Sequence, residues 1–434
     1  MYQPELETMP REQLEALQLE RLKSLLVRVY ENVAAYREKY DEAGFDPRSV
    51  ESLADLARVP FTVKDDLRAA YPYGFFAAPL RDIVRVHSSS GTTGQVTVVG
   101  YTKGDIDRWA DLMARTFACA GATPEDVVQV TYGYGLFTGG LGAHYGSERL
   151  GALTVPVSGG NTKRQVQILK DFGTTVLACT PSYALLIAET AAEMGIDPKT
   201  LPVRVGVFGA EPWSESMRRQ IEDALGLKAI DIYGLSEVMG PGVASECVHQ
   251  DGLHVFEDHF LVEIIDTETL QPLPDGEVGE VVFTTLTKEG IPVVRYRTRD
   301  ISRIIPETCA CGRTFRRIER VTGRTDDMLI VRGVNVYPSQ IEQVLVGIPK
   351  VAPHYQVVLT KSGSMDHVEV HVEVSPDFEF DEVKELERLQ RTVKGEIESA
   401  LAVSIAVKLV EPKSIARSEG KAKRVVDLRD QTGA

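Results

Sequence analysis

Cysteine is scarce in this chain: five residues in 434, an odd number that no closed set of disulfides can use. That count fits a reducing compartment better than a disulfide scaffold. Basic charge is also short. Lys and Arg total 48 against 63 Asp and Glu, a formal net charge of −15, which argues against nucleic acid or an anionic membrane as the main partner. No run reaches the ~18 apolar residues of a membrane span. Residues Met1 to Glu20 are charged and hold no apolar core, so the expectation is a cytoplasmic protein rather than an exported one. Internal repeats and low-complexity tracts are absent too.

What is present is a long alternation of apolar strands and helices. Leu14, Leu17, Leu22, Leu25, Leu26, Val29 and Val33 fall near one face of a helical stretch over residues 10–43. Short apolar runs follow at 83–86, 127–131, 152–157, 176–179, 203–208 and 229–232. Most run into glycine-rich or polar turns and then helices. This pattern predicts a largely parallel, helix-covered sheet with ligands at the carboxyl ends of its strands. Residues 259–305 read as a small β unit. Beyond Asp326 the pattern changes to a compact α+β unit, with helices near 338–346 and 381–400 and strands near 354–360, 367–374 and 404–410. The expected fold class is therefore α/β: a large N-terminal domain over 1–326 and a small C-terminal α+β domain over 327–434.

The loop Ser88-Ser89-Ser90-Gly91-Thr92-Thr93-Gly94 concentrates hydroxyls and glycines after a strand. Its amides and hydroxyls could ring phosphate oxygens, although plain surface loops favour the same residues. Gln95 follows the second glycine, so this is not the phosphate loop that needs Gly-Lys-Ser/Thr. Tyr132, Tyr134 and Phe137 stand among glycines in Tyr132–Gly140. Such rings could pack an aryl group or simply the core. Cys309-x-Cys311, with Cys247 and either His254 or His249, could hold a structural zinc ion, the alternative being reduced cysteines in a loop.

Five features in this order resemble the adenylate-forming superfamily of acyl-CoA synthetases, adenylation domains and luciferases. They are the Ser88–Gly94 loop, Tyr233–Glu237, Tyr296–Asp300, Gly323–Asp327 and Gly420-Lys421. Tyr132–Gly140, Gly240–Ala244, Phe256–Phe260, Arg332–Pro338 and Ser418–Arg424 are similar to the phenylacetate-CoA ligase family in particular. The resemblance covers nearly the whole chain. It implies ATP-dependent ligation of phenylacetate or a close arylacetate to coenzyme A through an acyl-adenylate, with AMP and diphosphate released.

The resemblance also implies roles. Ser88, Ser89, Ser90, Gly91, Thr92, Thr93 and Gly94 would hold the β- and γ-phosphates, and Glu237 would bind Mg²⁺. Gly209, Ala210, Glu211, Pro212, Asp231, Ile232 and Tyr233 would wall the adenine. Asp300 would accept the ribose hydroxyls, and Arg324 would reach ribose or phosphate. Tyr132, Tyr134, Phe137 and Ala210 would line the aryl pocket. Lys421 would be the catalytic lysine that bridges carboxylate and α-phosphate. Asp326 would be the hinge of a mobile C-terminal domain. Gln95 and Thr97 stand where many superfamily members carry lysines. The N-terminal lobe is short, which implies a homodimer partner covering it. Two other readings stay open at this stage: transfer to a different acceptor, or a nucleotide-binding scaffold without catalysis.

Overall fold

The structure is a computed structural model that describes residues 1–89, 96–321, 323–331, 334–362, 365–378, 383–418 and 420–429. Its centre is a nine-stranded sheet. Five parallel strands form one side of it, in the spatial order Leu153–Pro156, Val127–Val130, Val176–Cys179, Val205–Phe208 and Lys228–Leu235. Every residue of Val176–Cys179 and Val205–Phe208 is buried, as expected for strands covered by helices on both faces. The helices Lys103–Cys119 and Thr138–Leu150 cover one face, in a core that runs on to the N-terminal helix. Thr162–Asp171, Pro181–Glu193 and Glu215–Leu225 cover the other, around Tyr183, Phe208 and Trp213.

Antiparallel strands Gly240–Glu246, Leu253–Val255, Arg317–Ile318 and Ile304–Ile305 extend the sheet beyond Lys228–Leu235. The small β unit is a separate antiparallel sheet of Phe260–Ile265, Gly279–Thr285, Tyr296–Ser302 and Gly323–Arg324. Tyr296–Ser302 alternates buried and half-buried positions along its length, the mark of a strand with one face in the core. The strand at Ile83–Ser88 lies outside the large sheet. It pairs antiparallel with Val98–Thr102, so the next element after it is a strand and not a helix.

The expected N-terminal helix forms as two, Arg11–Asn32 and Ala34–Glu42, because Val33 between them is extended, with φ −121° and ψ 111°. In the C-terminal unit, strands Ala406–Val410, Met365–Val374, Val351–Ser362 and Val425–Asp427 form one sheet, and helices Pro338–Leu345 and Val383–Leu401 pack against it around Val357, Val372 and Val393. The last strand pairs parallel to Val357–Leu359, which brings the segment before it, with Lys421, to the edge of this domain facing the large sheet. No helix among the described residues is long and apolar enough to cross a membrane.

Candidate active site between the two domains

The parallel strands end where the site begins. After Cys179, Thr180 caps the helix Pro181–Glu193, its hydroxyl accepting from the Tyr183 amide. After Phe208, Gly209 turns so close to the next strand that a Cβ would lie 2.5 Å from the Ile232 carbonyl oxygen. Ala210 then takes φ 74°, a left-handed conformation unusual for a residue with a side chain.

Glu211 comes next, and it links the two domains. Its Oε1 accepts the Ser182 amide at 2.8 Å and the Ser182 hydroxyl, while its Oε2 accepts the Ala422 amide at 2.8 Å. Thr180 Oγ1 donates to the Gly420 carbonyl at 3.0 Å. Lys421 is thus gripped through both of its chain neighbours. Its side chain lies in an open cleft, reached by solvent but crowded by protein. Desolvation by the surrounding protein, with the charge of Arg324, lowers its pKa although solvent reaches it, opposed by the negative charge of Glu211, Glu237 and Asp300.

Asp300 is buried within electrostatic reach of this lysine. Arg324 donates to its Oδ1 at 2.8 Å and the Tyr233 hydroxyl to its Oδ2 at 2.5 Å. Burial raises the Asp300 pKa against both partners. Arg324 also donates to both oxygens of Asp326, at 2.9 and 3.1 Å. The Tyr233 ring stacks on Phe283, centroids 5.8 Å apart.

Glu237 is nearly sealed, yet its carboxylate meets Lys64 Nζ at 3.3 Å. Lys288 Nζ donates to the Glu237 carbonyl at 3.3 Å and lies 4.9 Å from the Tyr101 ring centre. Burial pulls the Lys288 pKa down to about 8, with Asp105 and Glu237 opposing. Two lysines therefore flank the acidic residue.

Other expected residues divide. Ser88 and Ser89 are anchored by hydrogen bonds from their amides to the Leu136 and Thr97 carbonyls, 2.9 and 3.0 Å. Ser90, Gly91, Thr92, Thr93 and Gly94 lie outside the described residues. Asp231 is buried, its carboxylate taken by the Trp213 indole at 2.8 Å and by Arg320 at 3.3 Å. Ile232 is buried beside Gly209, and Pro212 leads into the Ser214 cap of the next helix. Tyr132 is buried with its hydroxyl on the Val207 carbonyl, whereas Tyr134 and Phe137 are half-exposed. Gly139 lets the Phe137 ring lie against the helix start, since a Cβ there would sit 2.4 Å from the ring.

Away from this cleft, Cys247, His254, Cys309 and Cys311 bring their ligand atoms within 4.8 Å of one another. Cys247 Sγ and Cys309 Sγ are 3.6 Å apart, and Cys311 Sγ is 3.4 Å from His254 Nε2. Zn–S bonds of about 2.3 Å at tetrahedral angles put two sulfurs about 3.8 Å apart, so the donor set and its spacing fit zinc. His254 joins the cluster; His249 does not.

No sequence motif marks Lys64, Lys288, Thr180 or Ser182. Only the three-dimensional convergence reveals them.

Comparison with known proteins fits this layout. Residues 14–286 match the AMP-binding enzyme family and residues 333–429 the AMP-binding enzyme C-terminal domain. A phenylacetate-coenzyme A ligase of Thermus thermophilus is 52% identical over 99% of this chain and 100% of its own length. That of Escherichia coli is 51% identical over 99% of this chain and 98% of its own. A crystal structure of 2-hydroxyisobutyryl-CoA ligase in the postadenylation state, with 2-HIB-AMP, has a TM-score of 0.93 at 32% identity over 99% of this chain and 92% of its own. In the thioesterification state, with 2-HIB-AMP and CoA, that ligase has a TM-score of 0.73 at the same identity, over 98% of this chain and 92% of its own. The chain belongs to the phenylacetate-CoA ligase family of AMP-binding enzymes.

Proposed function

We propose that this protein joins phenylacetate, or a close arylacetate, to coenzyme A at the expense of ATP. A carboxylate oxygen attacks the α-phosphorus of ATP and diphosphate leaves. The thiol sulfur of coenzyme A then attacks the acyl carbon, its proton passing to solvent, and AMP leaves. Negative charge gathers on phosphoryl oxygens in the first step, so cations and donors are the catalysts. The observation that carries the reading is the grip of Glu211 and Thr180 on the chain at Ala422 and Gly420, which presents Lys421 to the same cleft as Glu237 and Asp300.

In this reading Lys421 bridges the carboxylate and the α-phosphate, and Asp300 with Tyr233 holds the ribose. Gly209, Ala210 and the Tyr233 ring wall the adenine. Asp231 supports that wall from behind through Trp213. Glu237 would hold Mg²⁺, which supplies charge neutralisation on the phosphates. A carboxylate paired with a half-exposed lysine that can swing aside fits that ion. Ser88 and Ser89 open the phosphate loop. Tyr134 and Phe137 face the aryl group, above a floor set by Tyr132.

The pose is that of adenylation, which the higher TM-score against the postadenylation state supports. Coenzyme A must later reach the carbonyl that Lys421 now faces, so the C-terminal domain turns between steps. Asp326 is the hinge of that turn and the domains divide there, into 1–326 and 327–434. In support, Gly323–Arg324 pairs with the N-terminal β unit while Leu329–Val331 opens a new hairpin. Zinc at Cys247, His254, Cys309 and Cys311 is structural, pinning the 306–316 loop to the antiparallel edge of the large sheet. A homodimer is part of the proposal, supported by exposed apolar side chains at Tyr71, Tyr73, Leu80 and Val84. So is a cytoplasmic setting, supported by five free cysteines.

Diphosphate release measured across a panel of acids, followed by thioester detection with coenzyme A, tests the function. Phenylacetate should be turned over well and acetate and long-chain acids poorly. A preference for acetate or long-chain acids would overturn the aryl assignment.

A further inference from the structure

The helix Pro181–Glu193 starts at the active site and runs away from it along the domain interface. Ser182, Leu186, Glu189 and Glu193 recur at helical spacing on one of its faces. Ser182 binds Glu211, which holds Ala422. Ser182 and Leu186 also line a cavity of about 30 Å³ closed on its far side by His354, Tyr355 and Arg417. Glu189 and Glu193 then meet a histidine and two cationic side chains of the C-terminal domain. Glu189 Oε1 is 2.7 Å from His354 Nε2, Glu189 Oε2 is 3.4 Å from Arg417 Nε, and Glu193 pairs with Lys413.

Arg417 is not a loose surface residue. Its two terminal nitrogens donate to both oxygens of the buried Glu373, at 2.7 and 2.6 Å. Glu373 also accepts the amides of Lys413 and Ile415, at 2.6 and 3.3 Å. The 413–417 segment is thereby built onto the C-terminal sheet, four residues before Lys421. With its fork occupied, Arg417 has Nε left to point across the interface. His354, on the strand Val351–Ser362, approaches the same carboxylate from the other side. Glu189 therefore joins two separately anchored elements of the moving domain to a fixed helix.

We propose that Glu189 is the positioning residue that latches the C-terminal domain in its adenylating pose. This rests on the assignment of Lys421 above. Glu211 and Thr180 hold the chain beside Lys421 only through backbone groups, and those bonds set its height in the cleft. The Glu189 contacts add a second anchorage, through side chains on the strand Val351–Ser362 and the 413–417 segment, so they resist the turn as well. They break as the domain leaves for thioester formation and re-form on its return. Free energy stored in the latch therefore favours the first half-reaction and opposes the second.

The test separates the half-reactions in single turnovers. In Glu189→Gln, diphosphate release with phenylacetate and ATP should fall roughly five- to tenfold, as for the loss of one or two half-buried ion pairs. Thioester formation from supplied phenylacetyl adenylate and coenzyme A should hold or rise. Glu189→Lys, which sets a cation against His354 and Arg417, should widen the split. His354→Gln should shift both half-reactions the same way as Glu189→Gln, and the double variant should be less than additive. Parallel loss in both half-reactions would overturn the proposal in favour of a plain stabilising role, and so would unchanged rates in both. If the wild type adenylates a different acid and not phenylacetate, the substrate reading fails. The same comparison run with that acid and its adenylate still decides the role of Glu189.

Discussion

The Lys64 ammonium lies 3.3 Å from Glu237 Oε1, although 173 positions separate the two in sequence. Lys64 opens the short helix Lys64–Ala69, held against the β unit by a bridge between Thr62 and Tyr296. The resemblance drawn from the sequence sets Gln95 and Thr97 where many superfamily members carry lysines. A cation from the N-terminal lobe stands beside Glu237, the carboxylate proposed to hold Mg²⁺.

Lys64→Ala should therefore raise the KM for ATP and slow diphosphate release by roughly tenfold, the effect of one charge-assisted contact of about 1.4 kcal/mol. Lys64→Arg should recover part of the loss. Unaltered ATP kinetics in the alanine variant would reduce Lys64 to an ordinary ion pair.

Phe137 should set the size of acid accepted. Its ring is half-exposed and seated over Gly139, whereas Tyr132 is locked into the core by its bond to the Val207 carbonyl. Phe137→Ala is expected to weaken phenylacetate several-fold in kcat/KM and to admit bulkier ring substituents. A variant with an unchanged acid profile would move the aryl group elsewhere.

Elemental analysis of protein purified without added metal should find about one zinc per chain. Cys309→Ser should lose it and lower the melting temperature, with little change in turnover per folded molecule, since the cluster lies apart from the cleft. Metal-free protein of normal stability would leave four residues in contact for no purpose of coordination.

Asp258 and His259 give an acid limit to stability. Asp258 Oδ1 accepts from Arg115 at 2.7 Å, and His259 Nδ1 is 2.7 Å from the Thr287 hydroxyl. Burial lowers the His259 pKa from 6.5 to about 4; Asp258 opposes the shift, while Arg115, Arg21 and Arg108 add to it. The folded protein therefore keeps His259 neutral while the unfolded chain protonates it. The stability this contributes is complete above pH 6.5 and drains away as pH falls toward 4. Denaturant titrations across that window should show the loss, and His259→Gln should flatten it. An equally steep fall in the variant would assign the acid limit to other groups.

The five parallel strands were legible because strands buried on both faces must be continuous apolar runs, as Val176–Cys179 and Val205–Phe208 are. Glu237, Asp300 and Lys421 were singled out because their motifs come in a fixed order, and the fold brings the two carboxylates within electrostatic reach of the lysine. Less visible was what the other named residues do. Glu211 was expected at the adenine wall, yet both of its oxygens join the domains through Ser182 and Ala422. Asp231 was expected beside it and is turned into a buried network with Trp213 and Arg320. Ile83–Ser88 looked like one more parallel strand, because an antiparallel partner beyond a polar stretch of sequence leaves no local signal. Lys64 and Glu189 sit in stretches with no motif at all. Their partners, Glu237 and His354, are distant in sequence: Glu237 meets Lys64 once the large domain has folded, and His354 meets Glu189 once the two domains pack together.

Exchange of labelled pyrophosphate into ATP in the absence of coenzyme A tests the central claim most directly, because only a reversible acyl-adenylate step can support it. Wild-type protein with phenylacetate and Mg²⁺ should exchange label without coenzyme A. Lys421→Ala should lose roughly 10²- to 10³-fold of that rate while retaining most of its thioester formation from supplied phenylacetyl adenylate. No exchange until coenzyme A is added, or equal loss of both half-reactions in Lys421→Ala, would contradict the account.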